Sequence, residues 1–358
     1  MQHLVWEGAV AKVALIGGDG IGPEVVGVAG KVLAAAAARH GGDLALDPWE
    51  LSADRYLSDG VTITDEERER LVGEYDAALL GALGDPRVPD GRHARDILLG
   101  LRFRADLYIN FRPCRLLAPE LSPLRAPDPS TDIVFFRENT EGLYAGVGGS
   151  LRAGTPYEVA TEQSVNTYRG VERIVRAAFR YARDHGRSRV TMVDKANVLR
   201  YEGGLWRRVF GEVGEDYPEM ERETMYVDAM AMDLVRRPER YDVVVTSNLF
   251  GDILSDLGAQ VTGGLGLAPS GNLHPSKWAL FEPVHGSAPD IAGRGIANPL
   301  AAVACAALTL EHLGMTEAAE DVGECIEASI AQGVTTPDQG GTSSTREVGE
   351  WMIERLAV

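Results

Sequence analysis

Cysteine is scarce in this chain of 358 residues: Cys114, Cys305 and Cys325 are its three, and they lie far apart. With no C-x-x-C pair, a zinc site or a disulfide framework is not expected. Three reduced thiols are, with Cys305 and Cys325 inside helical patterns. Long apolar runs are also missing. None approaches the ~18 residues that suggest a membrane span, and "LAAAAA" belongs to an alanine-rich helix ending at Arg39 and His40. The first residues, "MQHLVWEGAVAKVALIGG", show no basic region followed by a long apolar stretch, so a soluble cytoplasmic protein is expected. Positive charge is outnumbered: 35 Lys and Arg against 53 Asp and Glu leave a formal net charge of −18. Such a surface repels phosphate backbones and argues against a nucleic-acid partner. Small anionic substrates are not excluded, because a local arginine cluster overrides the global field. There is no internal repeat, and no low-complexity tract beyond the short alanine run. What remains is 45% hydrophobic and 25% charged, which suits a large core in one big domain or two ordinary ones.

The chain alternates two patterns. "KVALIGGDGIGPEVVGVAGKVLAAAAARH" reads as strand, glycine loop and helix, with Pro23 in the helix's first turn. "YDAALLGAL", "TDIVFFREN", "SRVTMVDKAN" and "YDVVVTSN" each read as a buried strand that ends in polar residues. Strands alternating with helices predict an α/β fold with a largely parallel sheet, whose ligands collect at the carboxyl ends of the strands. "CRLLAPELSPLRAPDPST" is proline-rich and reads as a surface loop. "GGSLRAGTPYEVATEQSVNT" reads as irregular strands or a hairpin, a candidate projecting arm.

The glycine loop "GGDGIGPE" does not have dinucleotide-fingerprint spacing, because Pro23 follows Ile21-Gly22, and no Walker pattern occurs. It serves either as a tight turn needing positive φ or as the lining of a ligand cleft. "NLFGDILSDLGAQV" is more pointed. Phe250, Ile253, Leu254, Leu257 and Val261 form an apolar stripe, and Asp252 and Asp256 sit beside it at i and i+4. Like charges at that spacing destabilise a helix by some tenths of a kcal/mol. They mark either a solvated face or a pair of hard oxygen ligands for Mg²⁺ or Mn²⁺, and their place just after a strand favours the second. Asp228 in "TMYVDAMAM" is a candidate third ligand.

Cations stand at comparable places. "LRFRADLYINFRPCR" carries Arg102, Arg104, Arg112 and Arg115, and "FFRENTEGLY" ends a strand with Arg137. Strand-end arginines near a metal read as bidentate clamps for an anionic substrate. Lys195 in "VDKANVL" is a candidate base and Tyr144 a candidate proton donor. Together these groups fit one reaction class, the metal-assisted oxidation of a 2-hydroxy acid to a β-keto acid followed by loss of carbon dioxide.

In the order "GDGIGPEV", "LYINFRP", "RENTEGLY", "DKANVL", "NLFGDILSDL" and "EPVHGSAPDIAGRGIANP", the chain resembles the β-decarboxylating dehydrogenase family, the isocitrate and isopropylmalate dehydrogenase family, over nearly its whole length. The segment "YAGVGGSLRAGTPYEVATEQSVNT" is most similar to isopropylmalate dehydrogenases of high-GC Gram-positive bacteria. The resemblance implies the family's own two-domain α/β fold, a large mixed sheet flanked by helices and not a Rossmann fold. Residues 1–107 and 263–358 would form a cofactor domain. Residues 108–262 would form a substrate and dimerisation domain, with an arm over about 145–167. Arg102, Arg112 and Arg137 would bind the carboxylate that is lost. Asp252 and Asp256, with Asp228 of the other subunit, would hold Mg²⁺ or Mn²⁺. Lys195, also from the other subunit, would be the base and Tyr144 the acid, in a homodimer with shared sites. Asp290 in the adenosine-loop-like "HGSAPDIAGRGIANP" would accept ribose hydroxyls and repel a 2′-phosphate, so NAD is expected, with Glu282, His285, Gly286, Ser287, Ala288, Ile291 and Asn298 completing its contacts. Leu98, Leu99, Asn197 and Val198 would line the substrate pocket and suit an alkyl group. The glutamate usual two turns ahead of Arg102 in leucine-pathway members is absent from "HARD", residues 93–96. A 3-substituted malate is therefore expected, 3-isopropylmalate first, with D-malate, tartrate or another 3-alkylmalate as alternatives. A silent regulatory subunit is disfavoured, because the lysine, the tyrosine and the aspartates are all present. A metal-dependent hydrolase would leave the adenosine loop and the arginines unexplained.

Overall fold

In the computed structural model, residues 10–275 and 277–357 are described. The reading of the N-terminus as free of a leader falls largely on residues 1–9, outside the described residues. The chain divides into two compact units. Unit 1 comprises residues 1–107, 116–123 and 262–358, and unit 2 comprises residues 108–115 and 124–261. The short stretch Leu116–Pro123, within the block expected as one domain, clusters with unit 1.

Unit 1 opens with β1 (Ala11–Gly18), α1 (Gly22–Arg39), β2 (Leu44–Trp49), α2 (Ala53–Asp59), α3 (Asp65–Glu74), β3 (Ala77–Ala82) and α4 (Arg92–Arg104). Unit 2 follows with β4 (Ile109–Arg115), β5 (Asp132–Glu138), β6 (Gly142–Leu151), β7 (Val159–Val165), α5 (Tyr168–Asp184), β8 (Arg189–Asp194), α6 (Arg200–Gly214), β9 (Glu221–Tyr226), α7 (Val227–Arg236), β10 (Val243–Thr246) and α8 (Asn248–Val261). The chain then returns to unit 1 with β11 (Pro269–Leu273), β12 (Ala279–Pro283), α9 (Leu300–His312), α10 (Thr316–Ala331) and α11 (Thr345–Leu356).

In unit 1 the strands run β2-β1-β3-β12-β11, all parallel except the antiparallel β11–β12 pair. β3, "AALLGA", is buried along its length, as a strand covered on both faces must be. The small residues of α1, including Ala29, Gly30, Ala36 and Ala37, let it lie close against α9 and α11. In unit 2 the order is β4-β5-β10-β8-β9, parallel from β5 through β9, with β4 antiparallel to β5. The two halves are mixed α/β sheets flanked by helices, as expected. Among the described residues, β6 and β7 pair only with each other, as an antiparallel hairpin whose second strand is exposed throughout. Because β5, β8, β9 and β10 are parallel, their carboxyl ends lie at one edge of their sheet. Arg137, Lys195, Asp228 and the start of α8 all come from that edge.

Candidate active site

α8 begins two residues after β10 and carries the carboxylate pair. Its buried residues are Asn248, Gly251, Leu254, Ser255, Gly258, Ala259 and Val261. The expected apolar stripe is therefore corrected: Leu254 and Val261 face the core, whereas Ile253 is 57% exposed. Glycines explain the seating. A Cβ on Gly251 would lie 2.6 Å from the Arg137 side chain, and one on Gly258 would lie 2.8 Å from Phe135 and 3.2 Å from Cys114 Sγ. The helix thus rests directly on β4 and β5, the strands that supply two of the arginines.

Asp252 is engaged from three directions. Arg137 Nη1 donates to its Oδ1, Arg112 Nη2 stands 3.3 Å from Oδ1, and Tyr144 Oη donates to Oδ2 at 2.7 Å. Arg112 also donates to Asp256 Oδ1 at 2.9 Å and to Ser255 Oγ at 2.8 Å. Arg137 Nε donates to Asn248 Oδ1 at 2.9 Å, and its guanidinium lies 5.2 Å from the centre of the Tyr144 ring. Both arginines are buried, while Asp252 and Asp256 keep 34% and 50% of their side chains exposed. Burial raises the Asp256 pKa; Arg112 opposes this, and the neighbouring charge of Asp252 adds to it. Asn248 and Ser255 were not singled out from sequence, where a small polar residue on a helix carries no distinguishing signal.

Lys195 and Asp228 form a separate ion pair, between the residue just after β8 and the first turn of α7. Lys195 holds the Asp228 carboxyl below its ordinary pKa. Among the described residues, no group of three His, Cys, Asp or Glu side chains is placed to hold a metal within one chain. The donor chemistry nonetheless fits a divalent ion through two carboxylates. Asp252 and Asp256 offer hard, half-exposed oxygens, and the penalty on Asp256 is one that a cation relieves. Asn197 and Val198 are exposed.

Arg102 belongs to unit 1, near the end of α4, where it is buried and donates to Glu282 Oε1 at 2.9 Å. Asn272 donates to the same oxygen at 2.9 Å. Leu98 packs in part against the core cluster of Ile97 and Leu101, while Leu99 is partly exposed. Also in unit 1, the glycine loop and the residues after β12 meet backbone to backbone. Ile21 N–H donates to Ser287 O at 2.9 Å, and a Cβ on Gly20, which has φ +58°, would lie 1.9 Å from that oxygen. The loop makes the tight turn of one sequence reading, with Gly18 and Gly20 at positive φ and a second loop closed over it, and Gly17, Gly18 and Pro23 also line a cavity, in keeping with the other. His285 Nε2 is buried with no partner among the described residues, and burial lowers its pKa. Gly286 and Asp290 are exposed, Ala288 has φ +39°, and Ile291 N–H donates to Ala288 O at 3.1 Å. Asn298 binds Asp338 at 3.0 Å and accepts from Leu300 N–H at 3.0 Å. The same segment thus carries an imidazole nitrogen without a partner among the described residues and, five residues on, an exposed carboxylate, groups able to pair with a ring nitrogen and with hydroxyls.

The fold is α/β, and at the strand ends of unit 2 two arginines stand beside a carboxylate pair, an arrangement suited to a small anion. The model of the family described as isocitrate/isopropylmalate dehydrogenase matches residues 12–352. The chain is 49% identical over 349 residues to a 3-isopropylmalate dehydrogenase of Thermobifida fusca (strain YX), spanning 97% of this chain and 98% of that protein. It is 50% identical over 348 residues to a protein of the same name from Corynebacterium jeikeium (strain K411), spanning 96% and 99%. The crystal structure of isocitrate dehydrogenase from Methylococcus capsulatus superimposes with a TM-score of 0.89 at 38% identity, covering 98% of this chain and all of that one. The chain belongs to the isocitrate/isopropylmalate dehydrogenase family.

Proposed function

We propose that this chain catalyses the NAD-dependent oxidative decarboxylation of a 3-substituted malate, with 3-isopropylmalate as the substrate, giving 4-methyl-2-oxopentanoate and carbon dioxide for leucine biosynthesis. The observation that carries this reading is the crowding of Arg112, Arg137 and Tyr144 around Asp252 and Asp256 on α8. Relatives about half identical over almost the whole chain bear the name 3-isopropylmalate dehydrogenase. When bound, a divalent ion on the two aspartates would supply charge stabilisation at the substrate's hydroxyl and carboxylate, and NAD would accept the hydride. Arg112 and Arg137, joined by Arg102, grip the carboxylate to be lost, since their planar forks match it. Tyr144 holds a phenolic proton for the product carbon. Lys195 takes the proton from the hydroxyl, a task that requires it to give up the Asp228 pair seen within one chain.

The two residues face each other as one pair, which supports a homodimer with shared sites, in which Asp228 and Lys195 of one copy together complete the site of the other. Unit 2 exposes Val198, Leu199, Tyr201, Met232, Val235 and Ile253, an apolar complement suited to a second copy. The β6–β7 hairpin is the proposed interlocking arm. Asp290, exposed and carboxylate-bearing, supports NAD over NADP.

The test is NADH absorbance with purified protein, Mn²⁺ and a panel of 3-alkylmalates. The expected result is the highest kcat/KM with 3-isopropylmalate and NAD. A preference for unsubstituted malate or for NADP would overturn the respective assignment. Mixing Lys195→Ala with Asp252→Ala chains distinguishes sites within a subunit from sites across one. If Lys195 acts in the partner's site and Asp252 in its own, each mixed dimer holds one site lacking both residues and one intact site, and activity returns; with sites inside one subunit, neither site is intact and it does not.

A further inference from the structure

His93 is wholly buried in the first turn of α4, and the reaction as derived makes no use of it. Its Nε2 lies 2.7 Å from Asp19 Oδ2, and Asp19 is itself buried in the glycine loop. The same carboxylate accepts the N–H of Ala53 at 2.7 Å and that of Gly84 at 2.7 Å. One aspartate therefore gathers the start of α2, the loop after β3 and the first turn of α4 onto the glycine loop. Tyr56 stacks on the imidazole, with ring centres 6.3 Å apart and planes 14° from parallel. His93 Nδ1 is buried with no partner among the described residues. A leucine would fill this space without orphaning a nitrogen, so packing alone does not account for a histidine here.

What α4 carries suggests the reason. His93, Ile97 and Leu101 form its core side. At about 3.6 residues per turn, Arg102 lies half a turn round from His93 and about 13 Å further along the axis. The anchor thus sits at one end of a short rigid element, and the cation at the other. α4 has no side-chain cap at its N-terminus, where Gly91 takes a left-handed conformation with φ 59°. The Asp19–His93 bond ties that end to the glycine loop.

We propose that His93 is a positioning residue: through Asp19 it seats α4 on the glycine loop and so sets where Arg102 meets the substrate carboxylate. This rests on the reading of Arg102 as a substrate clamp. The test compares His93→Leu, His93→Gln and Arg102→Ala in the full chain with Mn²⁺, NAD and 3-isopropylmalate, and measures thermal midpoints alongside. His93→Leu is expected to raise substrate KM about tenfold, while kcat and the KM for NAD change less than about threefold, because a small misplacement of a clamp acts on the group it holds. His93→Gln keeps a donor toward Asp19 and is expected to restore substrate KM. Should the leucine variant not fold, His93→Asn, whose shorter amide falls short of Asp19, carries the same comparison. An unchanged substrate KM, an equal rise in both KM values, or a glutamine variant no better than leucine would overturn the link. An unchanged substrate KM in Arg102→Ala would instead defeat the clamp itself.

Discussion

Gly251→Ala isolates the geometric demand that α8 meets. The added methyl would lie 2.6 Å from Cβ and Cγ of Arg137 and 3.2 Å from its Cα. Ordinary carbon contacts sit near 3.5–4.0 Å, so helix and strand must part by about 1 Å. Two energies oppose one another. Alanine in place of glycine favours a helix by about 1 kcal/mol, and overpacking costs about 1–3 kcal/mol. The net loss of stability is therefore small, from none to about 2 kcal/mol. Function suffers more. Arg137 holds Asp252 and Asn248, and all three shift together if α8 moves. A displacement of about 1 Å at reacting groups costs on the order of 100-fold in rate. The assay is kcat/KM with Mn²⁺, NAD and 3-isopropylmalate, paired with urea unfolding. Gly211→Ala on α6 is the control, since nothing lies within 4 Å of its added methyl. It should gain up to about 1 kcal/mol and keep full activity. A Gly251→Ala enzyme within threefold of the parent would refute the argument that the glycine exists to bring α8 onto Arg137.

Three further outcomes are expected. Burial raises the Asp256 pKa, so its ionised form opposes folding; that penalty is absent below the ordinary carboxylate pKa and complete above the raised one. Mn²⁺ at about 100 times its Kd should add about 2.7 kcal/mol of stability at pH 7. The gain should fade as pH falls through the raised Asp256 pKa and be absent in Asp256→Asn, as calorimetry with and without the ion will show. Gly20→Ala forces a methyl to 1.9 Å from Ser287 O at a backbone angle that disfavours side chains, so the two unit 1 loops must separate. KM for NAD should rise at least tenfold while that for the malate changes little; equal effects on both would refute this. Tyr144→Phe keeps the ring over Arg137 and removes the proton and the bond to Asp252. It should cut kcat by about 10²–10⁴-fold with little change in substrate KM, and a kcat within threefold of the parent would exclude Tyr144 as the acid.

Much of this was legible from residue order alone. Apolar runs closed by polar residues marked β3, β5, β8 and β10, because a strand covered on both faces has no room for charge until it ends. Those ends in turn marked Arg137, Lys195 and the start of α8. The separation of Asp252 and Asp256 by one helical turn follows from helical periodicity, which is a local property. What the sequence could not determine depends on contacts between distant segments. Which side of α8 is buried was decided by the fit of Gly251 and Gly258 against β5, so Ile253 faces outward despite its place in the apolar stripe. Asn248 and Ser255 became partners of Arg137 and Arg112 only once β4 and β5 lay beneath the helix. Nothing in the spacing of Asp19 and His93, 74 residues apart, announces their bond. Short-range periodicity is written in the chain; the meeting of two buried polar groups is settled by packing, because only the assembled core removes the water that would otherwise satisfy each of them.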